Sequence, residues 1–304
     1  MKLTVVYITA RAEPKVEWFL DSLARQVKFE DDIRPIIVDL YERPIPNAKR
    51  DYFHSFPLLK VVPIKPNIYQ GKHRLFKEDW WAISTARNTG ICLCETEWIA
   101  FCDDRCVLSA YWLDAVRAAQ NHGYALAGSY EKWYGLQVVD GCIVGAEKCT
   151  TKDHRDNGIA GPRKIPGQWW FGCTSALPVE WALKINGFAE SADSLGLEDN
   201  IFGTMLQANG YPICFDNRMK IIEDRTPYAC EGLPKRTDKG VSPNDRSHDL
   251  LNRLKDLKRA KHSFEPEFDY DLRDVRNIVQ SGGKFPIPTG PTKDWYDGQP
   301  WNEM

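Results

Sequence analysis

The chain has 304 residues, of which 43% are hydrophobic and 27% are charged, and its formal net charge is −2. This composition is typical of a globular protein with one large domain or two small ones. A net charge near zero provides no long-range field for nucleic acid or membranes, so polyanion binding is not the first hypothesis. No apolar run approaches the roughly 20 residues that span a bilayer. The first residues resemble a strand more than a secretion signal, so we expect a cytoplasmic protein.

The chain contains nine cysteines, an odd number, and several of them stand among apolar neighbours. Their spacing does not match the two cysteine pairs of a zinc site. We therefore predict reduced thiols that pack as small hydrophobic side chains, in agreement with a cytoplasmic protein.

The first half of the chain alternates between predicted strands and helices. The apolar run LTVVYI, at residues 3–8, is typical of a strand that is covered on both faces. A helix follows after Pro14, and a second apolar run at residues 34–40 completes a strand–helix–strand unit. Further strands are expected at residues 58–64, 97–104 and 124–130, with helices at 81–95 and, capped by Ser109, at 109–123. This order predicts an α/β fold with a mostly parallel sheet flanked by helices.

The second half has a looser pattern. We expect a hairpin or an edge strand at residues 135–147, a long loop from Lys148 to Pro166 and a strand at 167–178. Two helices at 178–187 and 196–211 and two short strands at 212–217 and 219–224 follow. After residue 225 the composition changes, and a charged helix is predicted from Arg246 to Lys261. We predict one domain at 1–225, with halves 1–130 and 131–225, and a helical or irregular extension at 226–304 that packs on it.

Two adjacent acids, Asp103 and Asp104, end the apolar run WIAFC. Neighbouring carboxylates raise each other's pKa unless a cation lies between them. In open α/β sheets the ligand crevice lies at the carboxyl ends of the strands, and carboxylate oxygens suit Mg²⁺ or Mn²⁺. The pair therefore indicates a metal or a sugar hydroxyl, although a simple turn or helix cap explains these two residues equally well.

The neighbouring sequence favours the functional interpretation. ARNTG, at residues 86–90, precedes the acids, and a downstream block at 167–211 contains an aromatic–Gly segment, NGF and the acidic pair Glu198–Asp199. Together these motifs resemble nucleotide-sugar glycosyltransferases of the GT-A fold, especially glycosyltransferase family 2, in which an ARNxG helix precedes a strand that ends in a DxD motif. The resemblance covers roughly residues 3–225. It implies a GT-A fold and an inverting hexosyltransferase that uses a UDP-sugar with Mn²⁺ or Mg²⁺.

The resemblance also implies which residues bind the donor nucleotide. Thr9 and Arg11 would border the base, and Asp39 would hydrogen-bond the uracil or the ribose. Arg87 would lie near the base or the diphosphate. Asp103 would contact the ribose or the sugar.

On the acceptor side, the resemblance makes Asp199 the general base, with Glu198 beside it. Trp169, Trp170 and Gly172 would form a wall on which a sugar ring stacks. The alternative is that the two acids only stabilise the amino end of a helix and that the tryptophans belong to the core.

One residue departs from the family pattern, because Arg105 stands where the DxD motif has its second acid. In one interpretation Asp104 alone binds the metal, and Glu223 or Asp224 supplies a third ligand. In the other, Arg105 itself steadies the diphosphate and replaces part of the metal's role. Both interpretations are open at this point.

Two other functions fit parts of the sequence. A nucleotidyltransferase would usually have a glycine-rich loop after the first strand, and TARAEPK has no glycine. A non-catalytic sugar-nucleotide-binding module would account for Arg105. The acceptor is not identified by the sequence: a glycan or a small molecule is favoured over nucleic acid, for which the basic residues between Arg246 and Lys261 are the argument.

Overall fold

The computed structural model describes residues 1–11, 13–39, 50–67, 82–193, 197–226, 257–263 and 266–286. The strands are β1 Lys2–Thr9, β2 Asp32–Asp39, β3 Lys60–Val62, β4 Trp98–Cys102, β5 Cys106–Leu108, β6 Ala125–Tyr134, β7 Gln137–Val139, β8 Cys142–Gly145, β9 Lys148–Lys152, β10 Arg163–Lys164, β11 Thr174–Pro178 and β12 Ile213–Asp224. The helices are α1 Val16–Ala24, α2 Arg50–Ser55, α3 Ile83–Leu93, α4 Trp112–His122, α5 Val179–Lys184, α6 Glu198–Ala208 and α7 Leu272–Gln280.

Ten strands form one mixed sheet. Its order is β10-β12-β6-β11-β4-β1-β2-β3, with β5 beside β12 and β9 beside β6. Strands β1, β2, β3, β4, β6 and β12 point in one direction, and β5, β9, β10 and β11 point in the other. The predicted α/β fold with a mostly parallel sheet is therefore confirmed, and the carboxyl ends of β1, β2 and β4 lie at one edge.

Strand β1 is mostly apolar, and both of its faces are covered. Leu3, Val5 and Tyr7 enter the hydrophobic core that contains α1 and α4. Val6 and Ile8 enter the core on the opposite face, which contains α3, α5 and α6. Full burial of one such aliphatic side chain contributes about 1.5–3 kcal/mol, so β1 is a rigid support for the residues at its end.

Helix α3 approaches β1 closely, and Gly90 makes this approach possible. A Cβ atom at this position would stand 2.5 Å from Cγ2 of Val6, which is closer than two carbon atoms can pack. The glycine of ARNTG therefore lets the helix lie against the sheet. Ala86 and Arg87, one turn earlier on the same helix, are thereby held beside the ends of β1 and β4.

Several predicted elements differ in the structure. Residues 148–166, predicted as a loop, contain the edge strands β9 and β10, whose polar side chains face solvent as edge strands require. Residues 212–224 form the single strand β12 with a register shift between Phe215 and Lys220. Strand β5 was not predicted. Helix α4 begins at Trp112, and the hydroxyl of Ser109 donates to the carbonyl of Arg218 and does not cap the helix.

The described part of the extension differs from the prediction in where its helix lies. Residues 257–263 are not helical, and the rest of the predicted helix lies outside the described residues. Instead α7 begins after Asp271, whose side chain accepts a hydrogen bond from the amide of Arg273. Leu272 and Val275 are buried one turn apart, an apolar stripe too narrow to stand out among the charged residues of this segment.

Helix α7 packs on α3 through polar contacts at the carboxyl end of α3. Arg276 Nη2 donates to the carbonyl of Cys94 at 2.8 Å, and Gln280 Nε2 donates to that of Cys92 at 2.9 Å. These bonds satisfy carbonyls that have no partner within their own helix. In the described part of the chain every cysteine is a free thiol, and no described helix combines the length and apolar character needed to cross a bilayer.

Candidate active site

A cavity opens at the carboxyl ends of β1 and β4, where the sequence predicted the site. One wall is apolar and includes Ile83 and Ala86 of α3. The charged residues that line the cavity are Arg11, Asp103, Asp104, Glu223 and Arg225. Carboxylates and guanidinium groups thus share one opening, which suits a ligand with both an anionic part and a bound cation.

Asp104 is a buried carboxylate in the lining of this cavity. Its Oδ2 accepts a hydrogen bond of 2.9 Å from the hydroxyl of Thr9, and Arg11 Nε lies 3.6 Å from the same oxygen. Burial raises the pKa of Asp104, and the charge of Asp103 adds to this effect while Arg11 opposes it. A buried carboxylate with this environment is stabilised by any additional positive charge.

Glu223, at the end of β12, brings a third carboxylate to the cavity. Burial raises its pKa to about 7, and the charges of Asp103 and Asp104 contribute in the same direction. Arg225, whose Nε lies 3.1 Å from Glu223 Oε1, opposes the shift. Oxygen donors of this kind fit Mg²⁺ or Mn²⁺, but within the described ranges no three acidic, histidine or cysteine side chains are grouped closely enough to hold a metal by themselves.

Arg105 and Asp224 pair with each other. Both are buried, and Arg105 Nη2 donates to Asp224 Oδ2 at 3.2 Å and to the carbonyl of Thr226 at 2.9 Å. The other oxygen of Asp224 accepts from the amide and the hydroxyl of Thr226. This arrangement gives no support to the predicted roles of Arg105 at a diphosphate and Asp224 at a metal, which stay predictions.

Asp39 is buried at the end of β2. It stands directly beside Thr9 in the parallel register of β1 and β2. The structure therefore brings Thr9, Arg11 and Asp39 to the same edge of the sheet, as the sequence predicted, and their contacts with a nucleotide stay predictions.

Arg87 is buried and bridges two acids, and its predicted place near the base or the diphosphate stays a prediction. Its guanidinium is 2% exposed; Nη1 donates to Glu198 Oε1 at 2.8 Å and Nη2 donates to Asp103 Oδ1 at 3.1 Å. Burial disfavours its charge, but Asp103 and Glu198 together raise the pKa of Arg87. Arg87 therefore lies between the two acidic motifs of the site, one on the cavity and one on α6.

Asp199 lies in the first turn of α6, next to Glu198. Its Oδ2 accepts a hydrogen bond of 3.0 Å from the amide of Gly172, and its Oδ1 accepts one from the amide of Asn200. Burial and the charge of Glu198 raise the pKa of Asp199 while Arg87 lowers it, and the net result is a pKa of about 7. A carboxylate with a pKa near neutrality is suited to proton transfer.

The pKa of Asp199 predicts a dependence of stability on pH. Because this pKa is higher in the folded protein than its ordinary value of 3.8, the folded state binds the proton more tightly than the unfolded state. This contribution to the free energy of unfolding is present below about pH 4 and is lost as the pH rises through 7. We expect Asp199→Asn, which is neutral at every pH, to be more stable than the wild type at pH 8 and to have a clearly smaller advantage at pH 5. Urea unfolding at both values measures this; equal differences at the two pH values would contradict it.

Gly172 is enclosed between Arg87 and Asp199. A Cβ atom here would stand 2.6 Å from Cζ of Arg87, and the guanidinium is held at both ends and cannot move aside. We therefore expect Gly172→Ala to reduce the free energy of unfolding by about 1–3 kcal/mol and to reduce activity. Gly145→Ala is the matched control, since its nearest neighbour is the flexible end of Gln137 at 3.0 Å. Equal effects of the two substitutions in urea unfolding would show that the enclosure of Gly172 is unimportant.

The two tryptophans predicted as a sugar-stacking wall have different environments. Trp169 is 40% exposed, and its ring meets the edge of His154 at a centroid distance of 6.0 Å. Trp170 is fully buried and packs against Phe202. The structure therefore corrects the prediction for Trp170, whose ring is part of the core, while the predicted stacking role of the partly exposed Trp169 stays a prediction.

Two features of the cavity were not predicted. Arg225 follows the predicted acids, and the alternation of side chains along a strand places it on the same side as Glu223, so this signal was available. The apolar wall of Ile83 and Ala86 was not visible in the sequence, because apolar residues on a helix are more often part of a core.

Comparisons with known proteins give structural matches. The chain matches S. aureus TarS 1–349 in complex with UDP-GlcNAc at 15% identity and a TM-score of 0.54, over 92% of this chain and 73% of that chain. It matches GalNAc-T7 with UDP, GalNAc and Mn²⁺ at 13% identity and a TM-score of 0.59, over 92% and 54%. It spans 60% of another TarS 1–349 chain and 37% of a longer TarS chain. No family profile and no curated protein sequence match.

At this level of identity the comparisons establish the fold. The matched structures are GT-A glycosyltransferases, and the mixed sheet of this chain with its flanking helices is the GT-A fold. The resemblance drawn from ARNTG and the two acidic pairs is thereby confirmed for the architecture. The carboxylate-lined cavity lies at the edge where the parallel strands of this sheet end.

Proposed function

We propose that the protein is a glycosyltransferase that moves a hexose from a UDP-sugar to an acceptor hydroxyl with inversion. The observation that carries this proposal is the pairing of two acidic sites on one GT-A scaffold. Asp103, Asp104 and Glu223 line a cavity at the strand ends, and Asp199, with a pKa of about 7, lies across Arg87 from it.

The cavity is assigned to the donor. Asp104 and Glu223 would hold a divalent cation, with the remaining ligands coming from the diphosphate, and Arg11 and Arg225 would contact the phosphates. The predicted roles of Thr9 and Asp39 at the base and ribose belong to the same assignment. When bound, Mn²⁺ or Mg²⁺ neutralises the negative charge that develops on the leaving diphosphate.

Asp199 is assigned as the general base. It accepts the proton of the acceptor hydroxyl while the hydroxyl oxygen forms a bond to the anomeric carbon and the bond from that carbon to the diphosphate oxygen breaks. Attack from the face opposite the diphosphate inverts the configuration at the anomeric carbon. Trp169 supplies an aromatic face beside this path, on which an acceptor ring can stack.

Calorimetric titration of UDP into the full chain tests the donor assignment. We expect binding in the presence of Mn²⁺ and much weaker binding in EDTA. Release of UDP from a panel of UDP-hexoses then identifies the sugar, first with water and next with simple sugars as acceptors. The absence of binding with UDP and with other nucleoside diphosphates, in both conditions, would reject the proposed function.

A further inference from the structure

Arg87 is buried between the two acidic motifs of the site and contacts a residue of each. Its two terminal nitrogens reach Glu198 at 2.8 Å and Asp103 at 3.1 Å, and its Cζ lies 5.1 Å from the centre of the Phe188 ring. The backbone of Gly172 lies against the guanidinium and donates its amide hydrogen to Asp199. One arginine thus contacts a carboxylate of the donor cavity, the base-bearing helix and the turn before β11 that orients the base.

We propose that Arg87 is the positioning residue of this site: it ties the helix that carries Asp199 to Asp103 and supplies the positive charge that keeps Asp199 a proton acceptor. This inference rests on the proposed function, because it concerns the base of that reaction. It replaces the predicted contact of Arg87 with the base or the diphosphate of the donor.

The charges around Asp199 support this role. Glu198 faces it from its own helix and Arg87 faces it from α3. Tyr130 of β6 and Cys173, in the turn before β11, also lie near it, since Asp199 contributes to their raised pKa values. Among these four groups Arg87 alone is a cation. Burial and Glu198 raise the pKa of Asp199 and the charge of Arg87 lowers it, with a net value of about 7.

Arginine suits this position better than lysine for geometric reasons. The planar guanidinium presents several donors in a fixed fork, so it can bond to Asp103 and Glu198 at the same time. A lysine ammonium is a single point charge. We therefore expect Arg87→Lys to retain most of the electrostatic effect and to lose part of the orientation, whereas Arg87→Gln loses the charge.

The test is the pH dependence of kcat/KM for donor turnover in the full chain. The acid limb should move to higher pH by about one unit or more in Arg87→Gln, because a nearby opposite charge shifts a carboxyl pKa by about that much. It should move to lower pH in Glu198→Gln, and in Arg87→Lys it should return toward the wild-type value. A purely structural role would lower the rate without opposite shifts of the limb.

A second measurement is independent of activity. In protein labelled with ¹³C at the aspartate carboxyl carbons, the resonance missing from Asp199→Asn belongs to Asp199, and its titration gives the pKa directly. The decisive comparison is between Glu198→Gln and the double variant Arg87→Gln/Glu198→Gln. Both lack the Glu198 carboxylate, so their pKa values for Asp199 differ only by the effect of the Arg87 charge. A higher pKa in the double variant supports the inference, and equal values overturn it. If no UDP-hexose is turned over, the proposed function fails while this titration still decides the role of Arg87.

Discussion

Asp199→Asn is expected to reduce transfer about 100- to 10,000-fold, the usual contribution of a positioned general base, and to leave UDP binding unchanged. The asparagine side chain has nearly the same shape, and its oxygen can still accept the amide hydrogen of Gly172. It cannot take a proton from an acceptor hydroxyl. Steady-state rates with the best UDP-hexose, together with calorimetric titration of UDP, measure both parts of the prediction.

Asp114→Asn is the matched control for this variant. Asp114 also lies in the first turn of a helix, but its side chain is half-exposed and pairs with Arg117 across one turn. We expect wild-type rates from it. A transfer rate near the wild-type value in Asp199→Asn would remove Asp199 from the mechanism, and a parallel loss of UDP binding would indicate a role in donor binding instead.

Asp104→Asn is expected to weaken Mn²⁺-dependent binding of UDP at least about 100-fold. Even residues that only support a metal ligand cost about 10- to 100-fold in affinity when they are changed, and Asp104 is assigned as a ligand of the metal itself. An amide is a poorer ligand for a hard cation than a carboxylate. Titrations of UDP at saturating Mn²⁺ and in EDTA should give nearly equal, weak binding for this variant.

The control for Asp104 is Asp274→Asn, an exposed acid in the first turn of α7, which should bind UDP as the wild type does. Asp104→Asn with wild-type, Mn²⁺-dependent affinity would contradict the assignment of Asp104 to the metal. Wild-type affinity in EDTA for the unaltered protein would assign the diphosphate to the cavity's arginines, Arg11 and Arg225, without a cation.

The sequence predicted those parts of the fold that local patterns determine. The continuous apolar run of β1 predicts a strand covered on both faces, and the apolar run before Asp103 and Asp104 places these two acids at the carboxyl end of β4. The partner of Arg87 could not be predicted, because Glu198 is 111 positions away along the chain and several acids closer in sequence were equally plausible partners. The outcome for Trp169 and Trp170 also depends on the tertiary structure, since the two share one local sequence and only packing decides which ring turns inward.

Elements with weak apolar patterns were missed for a related reason. Strands β9 and β10 are edge strands whose residues are mostly polar, so alternation of apolar residues could not reveal them. Helix α7 buries Leu272 and Val275 within a highly charged segment. In both cases the element is stabilised chiefly by the neighbour it pairs with or packs on, and this neighbour is distant in the sequence.

The hydrogen bonds from α7 to the end of α3 join the segment after residue 226 to the segment that contains the site residues. Gln280 reaches the carbonyl of Cys92 across 188 positions, and Arg276 reaches that of Cys94 across 182. Every residue assigned here to the donor, the metal or the base precedes residue 226. A fragment that ends at that point would contain all of these residues. It would lack α7, which packs on α3, the helix that carries Arg87. The segment that contains the sequence motifs is therefore not by itself the functional unit, because α7 lies outside it.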